Sequence, residues 1–260
     1  MPKDTTYTAL LPDADGLYPY SAEDDATWKT LFDRQMAFLP GKVAPEYLEG
    51  VAALGLTGDK TPQVRDIDAR LMVLNGAGAV GVPALIPPTQ FFTLLSERKF
   101  PVATFLRRPE HLDYIEEPDL FHEVFGHCPM LTNKSFADFI EGFGQRALSL
   151  PKSCRWHMFR LFWFTVEFGL IRSDAGLRAF GAGIVSSPAE AANALSNVPK
   201  VVDFDLLEVL RTPYRIDIVQ PIYFAIDSFD ALAACLDAEF EAVIAQAQAL
   251  GDHPPLYDPA

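Results

Sequence analysis

Basic residues are in short supply in this 260-residue chain: 21 Lys and Arg stand against 35 Asp and Glu, a formal net charge of −14. That deficit argues against nucleic acid or an anionic membrane as partner, since either would call for a basic patch. Cysteine is scarce too. Cys128, Cys154 and Cys235 form an odd, scattered set without a pairing pattern, so a reducing cytoplasm is expected rather than secretion. The opening MPKDTTYTALLPDADG lacks the apolar core of a signal peptide. No apolar run reaches the ~18 residues a membrane span needs. Repeats, low-complexity tracts and long linkers are missing as well. What is abundant is core material: 49% of residues are hydrophobic and 12% aromatic, enough for one substantial core.

The apolar pattern predicts one α+β, mostly α-helical domain over 21–250, with an extended arm at 1–20 and a Pro-rich tail at 251–260. From Asp25, Trp28, Leu31, Phe32, Met36 and Leu39 share a helical face that Pro40-Gly41 closes. A second helix opens at Pro45. A third has Thr61 as N-cap and Pro62 at its first position, burying Val64, Ile67, Leu71 and Leu74. AVGVPAL (79–85) and FPVATFL (100–106) read as short strands around a helix with Phe91 and Leu94. Helices are expected at 117–126, 135–148 and 153–170, then a turn-rich SDAGLRAFGAG, and short helices from Pro188 and near 205–210. YRIDIVQPIYFAI (214–226) reads as a strand that Pro221 confines to an edge or a bulge. A closing helix from Phe229 buries Phe229, Leu232, Leu236, Phe240 and Val243.

The chemistry gathers in FHEVFGHCPM (121–130). On an α-helix residues four apart share a face, whereas His122 and His127, five apart, are separated by about 140°. They cannot both ligate one ion from an uninterrupted helix. If the helix stops at Gly126, helped by Pro129, the chain can swing His127 back. The other reading makes one histidine a satisfied core residue and the other a C-cap. Glu167 bears on the choice. It is the single carboxylate in MFRLFWFTVEFGLI (158–171), a stretch apolar on every side and therefore buried. A buried carboxylate needs a partner. Arg160 or Arg172 could serve; so could a divalent ion held by two imidazoles. Two histidines and one carboxylate are the set used by non-haem Fe(II) oxygenases, and a zinc hydrolase accepts the same donors.

PDLFHEVFGHCPML, WFTVEFGL, AFGAGIVSSPAE and RTPYRIDIVQPIYF, in this order and spacing, resemble the pterin-dependent aromatic amino acid hydroxylases, best of all the bacterial members that act on phenylalanine. The resemblance spans roughly residues 20 to 240. It implies a single helical catalytic domain that hydroxylates L-phenylalanine to L-tyrosine with Fe(2+), dioxygen and tetrahydrobiopterin or a related tetrahydropterin. It implies His122, His127 and Glu167 as iron ligands. Arg107 would bind the substrate carboxylate, a task suited to its planar fork, with Asp119 holding that arginine. Gly183, Ser186 and Glu190 fall near the amino acid backbone and Trp163 at a wall of the aromatic pocket. Phe91 would stack on the pterin, with Ile86, Glu123 and Phe162 as its other neighbours. Ile115 and Phe162 depart from animal members, which carry threonine and often tyrosine there. Ile216 stands where tyrosine hydroxylases have aspartate, and Trp163 where tryptophan hydroxylases have phenylalanine, so phenylalanine is the expected substrate. Without the regulatory domain and tetramerising helix of animal members, a monomer is expected. A zinc hydrolase and a metal-stabilised binding domain are the rival readings.

Overall fold

A computed structural model describes residues 7–83 and 85–257. Among these the fold is mostly helical with two small sheets around one continuous apolar cluster. Helix α1 (Ala22–Phe38) starts three residues earlier than its apolar face suggests, because Ser21 and Asp24 form a capping box: Asp24 N donates to Ser21 Oγ and Ser21 N to Asp24 Oδ2. Helix α2 (Pro45–Ala53) opens at Pro45 as the sequence indicates. Helix α3 (Val64–Asn75) differs from expectation. Its N-cap is Gln63, whose side chain is taken by the backbone of Tyr18, while Thr61 lies upstream with its N–H on Asp25. Val64, Ile67 and Leu71 are buried, but Leu74 is 47% exposed.

Strands β1 (Gly78–Val82) and β2 (Lys99–Ala103) pair in parallel, and α4 (Pro88–Ser96) makes the crossover between them. The ladder is shorter than the apolar runs that announced it. From β2 the chain passes Arg107 and Asp119 and enters a π-helix, Phe121–His127. Helix α5 (Lys134–Ser149), capped by the Asn133 side chain on Phe136 N, follows. The expected long helix over 153–170 is instead α6 (Arg155–Phe162) running into a second π-helix, Trp163–Glu167.

The segment that reads as turn-rich loop is a hairpin, β3 (Leu170–Ser173) and β4 (Gly176–Ala179), turned at Gly176 with φ 95°. Helices α7 (Ala182–Val185) and α8 (Pro188–Ala194), strand β5 (Lys200–Asp203) and helix α9 (Leu206–Arg211) lead to β6 (Ile222–Ile226). The second sheet has the order β4-β3-β6-β5. Strand β6 is thus interior, not at an edge. Pro221 precedes the strand and offers only its carbonyl, to Lys200 N at 2.9 Å, so its missing N–H costs the ladder nothing. Residues 214–220 lie outside the strand. The closing segment is two helices, α10 (Phe229–Ala234) and α11 (Phe240–Leu250), joined by a short turn.

Phenylalanine fills the middle: Phe92, Phe121, Phe125, Phe136, Phe139, Phe143, Phe164, Phe180 and Phe224 are all under 2% exposed. Phe121 and Phe125 belong to the first π-helix and Phe164 to the second, so both are anchored in this packed layer.

Candidate active site

His122 and His127 need no break in the helix to meet. In a π-helix the backbone bonds run from residue i+5 to residue i, so five residues make little more than one turn. Cys128 N donates to Glu123 O at 3.3 Å in this register. The expectation that the helix would stop at Gly126 is therefore corrected: the turn widens and continues through His127. Gly126 allows the widened turn to lie against α7, where a Cβ would stand 3.1 Å from Ala182 Cβ. The second π-helix repeats the device, with Phe168 N on Trp163 O at 2.9 Å, and ends on Glu167.

Three donor groups from the two π-helices form a small triangle. His122 Nε2 lies 3.2 Å from His127 Nε2, and Glu167 reaches them at 3.4 Å and 3.2 Å through Oε2 and Oε1. Arg160 and Arg172, the alternative partners for Glu167, are engaged elsewhere, with Asp252 and Asp203. Two imidazole nitrogens facing each other at this distance beside a carboxylate call for a cation between them. The edges suit an ion roughly 2 Å from each donor. His122 is also oriented from behind. Ser186 Oγ donates to Ala182 O at 2.7 Å, so it can only accept from His122 Nδ1–H at 3.0 Å, which makes Nε2 the nitrogen that faces the triangle and the one whose lone pair a cation would take. His127 is wedged by Phe100 and Phe162, with ring centroids at 4.4 Å and 6.1 Å.

Two carboxylates stand here in different states. Burial pushes Glu167 up, but the two imidazoles outweigh it and hold the group well below the usual carboxylate range. Glu123, whose Oε2 is 3.8 Å from His127 Nε2, is pushed by burial up to about 8, against His122, with Glu167 and Asp119 adding to the rise. In the metal-free chain Glu167 is thus held as the anion, while burial favours the protonated form of Glu123. Burial lowers both histidines; at His122 the attraction of Glu167 wins and carries it up to about 9, whereas at His127 burial prevails.

Arg107 (6% exposed) and Asp119 (0%) form a buried fork: Nε and Nη2 each donate to one carboxylate oxygen at 2.8 Å. Asp119 also accepts from Arg107 N and from His122 N, both at 3.0 Å, so it ties the guanidinium to the first turn of the histidine helix. Burial alone would raise Asp119; Arg107 and these N–H groups hold it below its ordinary value. The fork uses Nε and Nη2, so Nη1 takes no part in the pairing with Asp119.

The other residues singled out by the sequence divide into two groups. Phe91 and Phe162 meet edge to face with centroids 5.2 Å apart, beside His127, and Ile86 is half-buried ahead of α4. Gly183 lies under the Phe168 ring, where a Cβ would come within 2.5 Å. Trp163 stacks on Tyr214 at 4.4 Å and 17°. Glu190 has both oxygens occupied, by Gln220 N at 2.9 Å and by the Tyr223 hydroxyl, so it faces the protein interior. Ile216 is 59% exposed on the 213–220 loop, apart from the others. Tyr214 and Gln220 escaped the sequence reading, because their segment looked like a strand and offered no sign of a loop folded back on Trp163.

A mostly helical domain presenting two imidazoles and one carboxylate on a single triangle has the donor set of the mononuclear non-haem Fe(II) oxygenases. Comparison with known proteins narrows that class. A profile of the biopterin-dependent aromatic amino acid hydroxylases matches residues 13–250, and the chain belongs to that family. It is 44% identical over 257 residues to the phenylalanine-4-hydroxylase of Pseudomonas aeruginosa, covering 99% of this chain and 98% of the relative. It superposes on phenylalanine hydroxylase from Legionella pneumophila with a TM-score of 0.94 and 44% identity, over 96% of this chain and all of that one. The Chromobacterium violaceum phenylalanine hydroxylase, in a structure with bound iron(III) and oxidised 7,8-dihydrobiopterin, matches at a TM-score of 0.86 and 43% identity over 93% and 90% of the two chains.

Proposed function

We propose that this chain is a phenylalanine 4-monooxygenase, converting L-phenylalanine to L-tyrosine with dioxygen, Fe(II) and a tetrahydropterin. The observation that carries the reading is the triangle of His122, His127 and Glu167, whose edges of 3.2–3.4 Å suit one divalent ion. Its membership of a biopterin-dependent family and its near full-length likeness to enzymes named phenylalanine-4-hydroxylase supply the pterin and the substrate. When bound, iron(II) and the tetrahydropterin supply the electrons that reduce dioxygen.

The chain's own residues then have separable tasks. Glu167 balances the charge of the ion, and Ser186 keeps His122 in the tautomer that can bind it. Arg107, fixed by Asp119 through Nε and Nη2, pairs with the amino acid carboxylate through its remaining N–H groups. Gly183 lets the Phe168 ring pack against α7, and Trp163 bounds the aromatic ring. Phe91 stacks on the pterin between Ile86 and Phe162, with Glu123 beside them. Phe100, Phe162 and the surrounding core keep water from the ring and the ion. The chain acts as a monomer in the cytoplasm, and size-exclusion chromatography with light scattering tests the first of these.

The decisive assay supplies the iron-loaded protein with a tetrahydropterin and oxygen, and with phenylalanine, tyrosine and tryptophan in competition. Tyrosine formation matched by oxygen uptake is expected. Absence of pterin-dependent oxygen uptake, or activity restored by zinc alone, would overturn the reaction. A higher kcat/KM for tyrosine or tryptophan would overturn only the substrate.

A further inference from the structure

Gln220 is 2% exposed and every polar group it owns is engaged. Its Oε1 accepts from Trp163 Nε1–H at 3.1 Å, and its Nε2 donates to Arg215 O at 3.0 Å and Ile218 O at 2.8 Å. Its backbone N–H goes to Glu190 Oε1 at 2.9 Å and its carbonyl accepts from Asn193 Nδ2 at 2.9 Å. Behind it, Tyr223 donates to the other oxygen of Glu190 and accepts from Asn193 at 3.0 Å. A flipped carboxamide would set NH2 against the indole N–H and oxygen against two carbonyls, so only one orientation satisfies the site.

Trp163 is held on two sides by this arrangement. Its N–H edge is fixed by Gln220 directly. Its face rests on Tyr214, whose neighbour Arg215 is tied to the same carboxamide, and Tyr214 in turn stacks on Trp156 at 5.6 Å and 14°. Trp163 also opens the π-helix that ends on Glu167. We propose that Gln220 is a positioning residue that fixes the Trp163 indole and the 213–220 loop together, and thereby sets the size of aromatic ring the pocket accepts. Glu190 and Asn193 serve this end by holding Gln220 rather than by touching substrate. The inference rests on the phenylalanine hydroxylase reading above for the identity of the ring.

The test is Gln220→Met, which keeps the length of the side chain and removes its hydrogen bonds. Iron content is expected to persist, because the triangle is untouched. The Trp163 indole N–H, assigned as the resonance lost in Trp163→Phe, should lose protection from hydrogen exchange. The phenylalanine KM should rise, and the preference for phenylalanine over tryptophan should fall, by a factor on the order of ten, as expected for one lost buried hydrogen bond. In the Trp163→Phe background the same substitution should leave the preference unchanged. Equal shifts in both backgrounds would mark a general effect on the loop and overturn the proposal, as would an unchanged preference with an unprotected indole. Should Gln220→Met fail to fold, benzothienylalanine at position 163, which keeps the indole's shape without its N–H, must produce the same shift; no shift overturns the proposal. A wild-type protein that hydroxylates neither amino acid would sink the functional reading, and the exchange data would still decide whether Gln220 holds the indole.

Discussion

Glu167 is a full negative charge inside an apolar helix, and its environment makes sense only with positive charge at the two imidazoles or between them. Glu167→Gln keeps the volume and removes that charge. Iron affinity and tyrosine formation are expected to fall together, and iron analysis after dialysis, with turnover measured on the same samples, checks it; normal iron content and turnover would sink the assignment. Arg107 poses a different question, since its fork already serves Asp119 through two donors. A lysine can offer only a point charge to two carboxylates. Arg107→Lys should raise the phenylalanine KM sharply, by roughly 2–5 kcal/mol in binding terms, with iron retained; an unmoved KM would place the carboxylate elsewhere. A lone carboxylate in an apolar run demands a partner, so the sequence singled out Glu167, but it left Arg160 and Arg172 open as that partner, and the full ligand set came from the family resemblance. The coupling of Asp119 to His122 N and of Ser186 to His122 Nδ1 was not legible, since it depends on hydrogen-bond geometry across 64 residues of chain in the second case.

At the level of elements, side-chain periodicity revealed most helices and missed the two features that matter most for the site. A widened turn leaves the apolar pattern almost unchanged, so residues 121–127 and 163–167 read as ordinary helix or helix end. The hairpin β3–β4 was hidden for another reason: its strands have four residues each and little alternation, and β3 is fixed by pairing with the distant β6. A π-turn is rare and costs regular bonding, and it persists where surrounding structure enforces it. Here the enforcement is visible at Gly181, where a Cβ would lie 2.4 Å from Glu167 O and 2.5 Å from Gly169 N. These are backbone atoms and cannot turn aside. Gly181→Ala should therefore displace the end of the π-helix, costing about 1–3 kcal/mol of stability and weakening metal binding through Glu167. Denaturant unfolding together with metal titration checks it; a variant as stable and as tight-binding as the parent would mean that the α7 segment does not hold Glu167 in place.

For the molecule as a whole, the site links metal, protons and stability. In the metal-free protein His122 is raised from 6.5 to about 9, so the stabilisation from its protonated form is complete below pH 6.5 and lost as pH climbs through 9. Glu123, raised from 4.5 to about 8, acts in the same sense, because its folded form keeps a proton that the unfolded chain releases. His127 has the opposite sign, but its contribution is complete by pH 6.5 and adds no slope above it. Asp119 and Glu167, both lowered, lose their contributions only in acid. The metal-free protein should thus become less stable between about pH 6.5 and 9. A bound divalent ion needs both imidazoles neutral and binds the folded state alone, so its binding near pH 7 releases about one proton. The rise in Tm on adding Fe(II) under anaerobic conditions should accordingly grow from pH 6.5 to 9 and then level off. Calorimetry in buffers of different ionisation enthalpy gives the proton count directly. A Tm gain independent of pH, with no proton released, would show that His122 carries no proton for the ion to displace.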